Sequence, residues 1–381
     1  MKNEVTRLGI LGAGQLATML RDAAGDLPLN IKVLETPLSE TQALRHFLSD
    51  CDSVLFENEF VDIETLKQSA QGLNTRFFPA LESIARVQDK LEQKRIFDAL
   101  GLPHPSYRIL QKAPSVLEIR TMPQAKILKW SRQGYDGKGV FRLDSQRSLN
   151  EVQDFFAAAI PRQSEIYEED AIDFQAELAI VCTQSTSGEF VFYPLVKSTQ
   201  ESGVCERIKG PAARFGVGAE LESQARSIAQ KIGRELKLYG TFAVEFFWSR
   251  DGRLLVNEVA PRVHNTGHYS QDASPCSQFA NHLRAAIGEK LGSTSTTPYF
   301  LMLNMLGPPQ LKLSVKTEPL QFPSAPPSLF LHWYDKKEIR PGRKLGHING
   351  VAQSEAELEN LLKVAAQYRH ECFDYLRKLQ S

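Results

Sequence analysis

Residues 241–268 read TFAVEFFWSRDGRLLVNEVAPRVHNTGH, which is two strand-like runs followed by a polar loop. Two apolar, strand-forming runs flank Ser-Arg-Asp-Gly, which predicts a β-hairpin. If Asp251 and Gly252 form a two-residue turn, Glu245 lies directly opposite Glu258, where two like charges destabilise the sheet. A hard cation such as Mg²⁺ removes that repulsion, and nucleotide phosphates can complete its coordination shell. The hairpin therefore predicts a metal site; the alternative is an exposed edge hairpin with two solvated glutamates.

The loop that follows, residues 261–268, is polar and includes an arginine and two histidines. His264 and His268 have a spacing that can bind zinc on a helix, but the glutamate of the HExxH motif is missing. We therefore favour an anion-binding loop in which Arg262 supplies paired hydrogen bonds. Zinc is the less favoured alternative.

Working back toward the N-terminus, strand-like and helical runs alternate. RLGIL (7–11), IKVLE (31–35) and SVLFENEF (53–60) predict strands of a parallel, doubly wound sheet. The turn after the first strand, GAGQLA (12–17), fits G-x-G-x-x-G/A, and Glu35 ends the next strand. NAD binding, binding of another phosphate and a purely structural turn all stay open for this motif.

Apolar spacing from Ile84 to Leu100 predicts one continuous helix, which Gly101 ends before a stiff Pro103–Pro105 connector. A glycine-rich loop, GYDGKG (134–139), can close over a polyphosphate, although an exposed hairpin turn fits it equally well. Strands are also predicted for EFVFYPLV (189–196). Near the C-terminus, the basic segment 333–344 is either a phosphate site or a solvated face.

Composition excludes several classes of protein. Forty-five basic residues balance forty-five acidic ones, so net charge gives no attraction to nucleic acid or to an anionic membrane. The five cysteines are far apart in sequence, which predicts free thiols in a reducing cytoplasm. No apolar run approaches the ~20 residues of a membrane span.

Taken together and in this order, these motifs resemble the ATP-grasp superfamily. The wording NEVAPRVHNTGH (257–268) with RPGRKLGH (340–347) is similar, more narrowly, to its 5-(carboxyamino)imidazole ribonucleotide synthase family. The resemblance covers almost the whole chain. It implies an α/β and α+β fold of three domains: a Rossmann-like domain (1–103), a small lid (104–174) and a C-terminal ATP-grasp domain (175–381).

The resemblance also assigns roles to individual residues. Glu245 and Glu258 would bind Mg²⁺, and one of Glu57 and Glu59 would face the substrate's imidazole. The ATP positions would be Lys90, Lys129, Gly134, Tyr135, Asp136, Gly137, Lys138, Gly139, Val140, Glu169, Asp170, Ala171, Ile172, Glu177, Asn257 and Glu258. The catalytic or bicarbonate positions would be Arg262, His264, Asn265, Lys336 and Asp136. The remaining ribonucleotide positions would be Gly14, Gln15, Leu16, Tyr135, Lys138, Arg343 and Lys344.

The implied activity is an ATP-dependent ligase of de novo purine biosynthesis that carboxylates 5-aminoimidazole ribonucleotide with bicarbonate. ATP would convert bicarbonate to carboxyphosphate, a labile electrophile that a closing loop protects from water. A homodimer and a cytoplasmic location are the family expectation. A dinucleotide-dependent oxidoreductase and a non-catalytic ATP-binding regulator are the alternatives.

Overall fold

The computed structural model describes residues 5–134, 137–201, 203–314 and 320–380. Tyr135 and Asp136, both predicted site residues, lie outside the described residues. Strands and helices are numbered separately below in chain order.

The N-terminal sheet is parallel, as the sequence predicted. Its strands have the spatial order β2-β1-β3-β4. One face packs on helices α2 and α3, and the other packs on α1 and on α10 of the C-terminal region. The elements are β1 Thr6–Leu11, α1 Gln15–Asp22, β2 Leu29–Leu34, α2 Thr41–Ser49, β3 Ser53–Phe56, α3 Ile63–Ala70 and β4 Arg76–Phe78, with α10 at Gln278–Ile287.

The prediction of a single helix from Ile84 to Leu100 is wrong. The chain forms two helices, α4 Leu81–Val87 and α5 Lys90–Ala99. Asp89 separates them because its carboxylate accepts hydrogen bonds from Leu91 N and Glu92 N, which is the N-cap arrangement. The apolar spacing continues across this break, so periodicity alone did not reveal it.

A second, antiparallel sheet with the order β5-β8-β6-β7 follows. Its apolar face packs against α7, around Trp130 and Val152. The elements are β5 Tyr107–Leu110, α6 Val116–Thr121, β6 Lys126–Trp130, β7 Val140–Leu143, α7 Leu149–Ala159 and β8 Ile166–Asp170. Domain boundaries after residues 103 and 174 stay predictions.

The largest sheet has the order β14-β13-β9-β11-β12-β15-β19-β17, and β10 pairs with β9. The run 189–196, expected to be one strand, is interrupted at Pro194 between β10 and β11. The strands are β9 Phe174–Gln184, β10 Phe190–Phe192, β11 Val196–Glu201, β12 Val204–Gly210, β13 Gly240–Ser249, β14 Leu254–Ala260, β15 Tyr299–Leu306, β17 Leu329–Trp333 and β19 Lys344–Ala352, with the small pair β16 Leu313–Ser314 and β18 Glu338–Ile339.

Helices cover this sheet and fix its position. The long helix α8 (Ala219–Glu235) packs with α4 and α5 on β9 and β13. The C-terminal helix α11 (Glu355–Gln380) packs on β15 and β19, and the short helix α9 (Ser270–Ala273) precedes α10.

All five cysteines are free, as predicted, and all five are buried. Within the described part of the chain, we find no helix with the length and apolar character that a membrane crossing requires.

Candidate active site

The two hairpin glutamates face each other. Glu245 on β13 pairs directly with Glu258 on β14, as the sequence predicted. The assumed two-residue turn is wrong, because Ser249 N donates to Arg253 O at 3.0 Å and the loop comprises residues 250–252. That longer loop shifts the pairing by one residue. A β-bulge between Glu245 and Phe246 shifts it back and leaves Asn257 without a partner in the ladder.

The two carboxyl groups differ in their electrostatic environment. Burial, followed by the charges of Glu258 and Glu177, raises the pKa of Glu245 to about 7. Burial acts in the same direction on Glu258, but Lys90 Nζ lies 2.6 Å from its Oε2 and holds its pKa below the usual value. One carboxylate is therefore anionic at neutral pH, and the other readily exchanges a proton.

Lys129 connects the small sheet to the hairpin. Its Nζ lies 2.6 Å from Glu169 Oε2 and donates to Asn257 Oδ1 at 3.0 Å. The bulge brings Asn257 into this contact, beside the Glu258–Lys90 pair. Two predicted ATP-phosphate lysines thus converge on the predicted metal site, from β6 and α5.

The segment expected to face adenine starts at the end of β8. Glu169 is buried and bound to Lys129, and Asp170 lies 2.5 Å from Lys126 Nζ. Ala171 and Ile172, both half-buried, lead into β9. The side chains of the first two are thus bound to lysines, which leaves the backbone of the segment for contact with a base.

Glu177, the predicted ribose ligand, lies on β9 opposite Phe247 of β13. Burial raises the pKa of Glu177 to about 7, and the charge of Lys129 works against that rise. Glu177 also raises the pKa of Glu245. These two glutamates therefore belong to the same electrostatic environment.

The glycine-rich loop lies beside the turn between β11 and β12. Gly139 has a φ of +73°, and a Cβ there would lie 2.7 Å from the Trp130 ring, so only glycine fits. A Cβ on Gly203 would lie 2.7 Å from the Cα of Gly137. Lys138 lies between these contacts, a Cβ on Gly134 would lie 3.1 Å from Lys138 O, and Val140 begins β7. The described part of the loop therefore lies close to the ends of β11 and β12 in the large sheet.

The loop after β14 carries three predicted catalytic residues. Arg262 donates to both oxygens of Glu59, Nε to Oε2 at 2.6 Å and Nη2 to Oε1 at 3.3 Å. Burial, then the charges of Arg262 and Lys344, lowers the pKa of His264 to about 3, so its imidazole is neutral. Asn265 Nδ2 is buried and has no hydrogen-bond partner among the residues that the structure describes.

Gln278 holds the backbone of this loop in place. His264 N donates to Gln278 Oε1 at 2.8 Å, and Gln278 Nε2 donates to His264 O at 2.7 Å. The same Nε2 lies 3.1 Å from His268 Nδ1, and the His268 ring contacts the Phe279 ring at a centroid distance of 5.6 Å. Across the described ranges no group of three or more His, Cys, Asp or Glu could hold a metal. Zinc binding by this loop stays the less favoured alternative.

The glycine turn after β1 contacts one of the two acidic candidates. Glu57 accepts hydrogen bonds from Gly14 N at 2.6 Å and Leu16 N at 3.2 Å. These are the amides expected at a phosphate, and here a carboxylate occupies them. Glu57 therefore lies at the glycine turn with Gln15 between its donors, whereas Glu59 lies against Arg262.

Part of the late basic segment reaches the same region. Burial lowers the pKa of Lys336, with Arg343 acting in the same direction and Glu57 raising it, so Lys336 lies within the field of Glu57. Arg343 Nη1 donates to Glu338 O at 2.8 Å, within its own loop. Lys344 begins β19, and its charge lowers the pKa of His264. The segment is thus an electrostatic part of the site, about three hundred residues from the glycine turn.

Sequence reasoning missed Lys94 of α5. Its side chain is 1% exposed, and its Nζ lies 2.5 Å from Glu169 Oε1. The available signal was a lysine three residues from Leu91 and three from Phe97, both of which are buried. It also missed a cluster of three histidines in which the His347 ring contacts those of His268 and His332, with Tyr334 Oη 2.8 Å from His347 Nδ1.

Comparison with known proteins adds to this geometry. The ATP-grasp domain model matches residues 95–279, and the phosphoribosylaminoimidazole carboxylase C-terminal domain model matches residues 301–361. The N5-carboxyaminoimidazole ribonucleotide synthase of Synechococcus elongatus is 37% identical over 363 residues, which cover 90% of this chain and 89% of that protein. This chain belongs to the N5-carboxyaminoimidazole ribonucleotide synthase family. The same-named protein of Vibrio cholerae is 32% identical, with 93% of each chain covered.

Solved structures of the family agree with the fold. The ATP complex of the synthase from Aspergillus clavatus superposes with a TM-score of 0.82 at 26% identity, covering 98% of this chain and 100% of that one. A second structure of that fungal enzyme contains ADP and the aminoimidazole ribonucleotide, with a TM-score of 0.79, 26% identity and coverage of 96% and 100%. The Thermus thermophilus synthetase gives 0.80 at 28% identity, with 95% and 98% covered.

Membership in the N5-carboxyaminoimidazole ribonucleotide synthase family confirms the predicted ATP-grasp fold. It also confirms that the protein is an ATP-dependent ligase of purine biosynthesis. The sequence left two alternatives open, a dinucleotide-dependent oxidoreductase and a non-catalytic regulator. Neither is the activity of this family.

Proposed function

We propose that this protein joins bicarbonate to the exocyclic amine of 5-aminoimidazole ribonucleotide, using ATP and Mg²⁺. The observation that carries the proposal is the Glu245–Glu258 pair followed directly by the Arg262–Asn265 loop. The pair suits a metal–nucleotide complex, and the loop suits a small oxyanion. The relatives' names and the fungal complex with ADP and the ribonucleotide support this choice of substrate.

The residues present fit Mg²⁺. Glu245 and Glu258 supply hard oxygen ligands. The raised pKa of Glu245 reflects its burial and then the charge of Glu258, a repulsion that a cation would reduce. When bound, the metal would neutralise charge on the transferring phosphoryl group. Lys90 and Lys129 are the chain's own cations beside the same carboxylates, through Glu258 and Asn257.

Bicarbonate would bind in the loop after β14. The Asn265 Nδ2 is a buried donor without an acceptor among the described residues. A buried donor that stays unpaired lowers stability by about 1–3 kcal/mol, so an anion that accepts this hydrogen bond would be favoured. Arg262 supplies positive charge there, and Glu59 fixes its orientation through two hydrogen bonds. Neutral His264 can approach the anion without adding a proton to it.

The ribonucleotide would lie between the glycine turn and the late basic segment. We assign its phosphate to Arg343, Lys344 and the glycine-rich loop, because Glu57 already occupies the turn amides. Glu57 rather than Glu59 then faces the aminoimidazole. Its carboxylate would accept the proton that the amine loses when the new C–N bond forms.

Each residue group has one task in the resulting reaction. The lysines and glutamates align ATP so that its γ-phosphoryl group passes to a bicarbonate oxygen, releasing ADP. The amine then attacks the carboxyl carbon, or CO₂ set free from it, and inorganic phosphate leaves. The glycine-rich loop excludes water from this labile intermediate.

A cytoplasmic homodimer is part of the proposal, and size-exclusion chromatography with light scattering tests the dimer.

One assay tests the reaction as a whole. ATP consumption is measured with bicarbonate alone, with the ribonucleotide alone and with both, and transfer of ¹³C from bicarbonate to the product is followed by NMR. We expect one labelled carbamate for each phosphate released. Phosphate release that is independent of the ribonucleotide, or a product without label, would refute the proposed substrates.

A further inference from the structure

Lys94 is a buried lysine to which the proposed reaction gives no task. Its ammonium group lies 2.5 Å from Glu169 Oε1, and Lys129 Nζ lies 2.6 Å from Glu169 Oε2. One carboxylate therefore binds two ammonium groups, one on each oxygen. Both Lys94 and Glu169 are almost fully buried, at 1% and 2% side-chain exposure.

Burying these three charged groups costs free energy, because each loses its contact with water. Burial lowers the pKa of Lys94 to about 8, although the charge of Glu169 opposes that shift. Burial likewise acts against the charge of Glu169, but Lys129 and Lys94 together hold its pKa below the usual value. The group thus carries two positive charges and one negative charge. Its net positive charge faces the site where ATP phosphates are proposed to bind.

The contacts of Lys94 complete a closed network that begins and ends on α5. From Lys94 the network passes through Glu169 and Lys129 to Asn257. Asn257 precedes Glu258, whose partner is Lys90 at 2.6 Å. Lys90 and Lys94 are four residues apart on α5 and so lie on the same face of that helix.

The network joins helix α5 to both the small and the large sheet. Lys90 of α5 reaches the large sheet at β14, Lys94 of α5 reaches the small sheet at β8, and Lys129 of β6 bridges those sheets. Without Lys94, Glu169 would keep a single cationic partner and would neutralise Lys129 more completely. The phosphate-facing lysine would then be both less positive and less firmly oriented.

We propose that Lys94 is a positioning residue for nucleotide binding. It binds one oxygen of Glu169 so that Lys129 stays between Glu169 and Asn257 with its charge available to ATP. Lys94 does not touch the nucleotide. The inference rests on the proposed ATP role of Lys129, and it adds a residue to which the sequence assigned no role.

The test measures ADP binding by calorimetry in the presence of Mg²⁺, so it does not depend on turnover or on the ribonucleotide. Lys94→Met should weaken ADP binding about tenfold, since Glu169 would then neutralise Lys129 more completely. In the full reaction it should raise the Michaelis constant for ATP similarly and leave that for the ribonucleotide within about twofold. Lys231→Met, at an exposed lysine in the middle of α8, is the matched control and should bind ADP normally.

A double-mutant cycle with Glu169→Gln separates positioning from packing. Neutralising Glu169 removes the anion that Lys94 restrains, so Lys94→Met should cost little more in the Glu169→Gln background. If Lys94→Met alone proves too unstable to purify, Glu169→Gln and the double variant should still bind ADP equally.

Three outcomes would overturn the proposal: unchanged ADP affinity in Lys94→Met, a full additional loss in the double variant, or an equal rise in both Michaelis constants. If the wild-type protein binds ADP but shows no carboxylation, the proposed substrates are wrong. The ADP-binding measurements would still test the role of Lys94.

Discussion

Glu245 and Glu258 lie opposite each other because two irregularities in their hairpin compensate. The loop at 250–252 is one residue longer than a two-residue turn and shifts the register, and the bulge at Asn257 restores it. A single slip would have moved one glutamate to the opposite face of the sheet. The bulge also gives Lys129 an acceptor that a regular strand would not offer.

Replacing either hairpin glutamate by glutamine should reduce ATP turnover at least about 100-fold, because each is a proposed metal ligand. Their effects on stability should differ. Glu245→Gln removes a repulsion and should leave the metal-free protein equally or more stable. Glu258→Gln leaves Lys90 without its anionic partner and should cost on the order of 1–3 kcal/mol. Urea unfolding measures both; full activity in either variant would contradict the two-carboxylate site.

The raised pKa of Glu245 predicts a pH-dependent stability. Between its ordinary value of 4.5 and about 7, the folded protein keeps a proton that the unfolded chain has lost. Its stabilising contribution is therefore complete below pH about 4.5 and disappears as pH rises through about 7. The melting temperature of Glu245→Gln minus that of the wild type should increase from pH 5 to pH 8. Glu189→Gln, at an exposed glutamate, should give a constant difference.

Gly14→Val should weaken binding of the ribonucleotide about tenfold or more and leave ATP binding unchanged. A Cβ at Gly14 would lie 1.9 Å from Glu57 Oε1, so the carboxylate must move. Gly218→Val is the control, since nothing lies within 4 Å of a Cβ there. The Michaelis constants for both substrates decide the question. An unchanged constant for the ribonucleotide would remove the glycine turn from the site.

The late basic segment should separate into two kinds of variant. Arg343→Ala should raise the Michaelis constant for the ribonucleotide by about one to two orders of magnitude, since charge-assisted phosphate bonds contribute ~1.5–3 kcal/mol each. Lys336→Ala should mainly lower the catalytic rate. Lys337→Ala, at an exposed neighbour, should match the wild type. Wild-type kinetics for both test variants would make the segment a solvated surface.

Lys237→Gly should stabilise the protein by about 0.5–1 kcal/mol without affecting catalysis. Lys237 follows the end of α8 with a φ of +49°, a left-handed conformation that glycine adopts without strain. Chemical unfolding measures the gain. A loss of stability would show that the lysine side chain contributes more than its backbone costs.

Features that depend on short-range patterns could be predicted from the amino-acid sequence. Alternation of strand-like and helical runs gave the parallel N-terminal strands, and fixed motif wording gave the family. The opposed glutamates were predicted from a two-residue turn that does not form, and the bulge at Asn257 restores their pairing. Periodicity failed where one side chain redirected the chain, as Asp89 does between α4 and α5. A capping hydrogen bond competes with helix continuation over single residues, and apolar spacing does not record it.

Only the tertiary structure distinguished residues that look equivalent in sequence. Glu57 and Glu59 are two positions apart, yet one binds the amides of the glycine turn and the other binds Arg262, two hundred residues away. In sequence, Lys94 resembles any lysine on a helix. The structure places it on one oxygen of Glu169, with Lys129 on the other. Burial and charge pairing depend on which distant elements pack together, and that packing sets the pKa values and contacts from which the site is built.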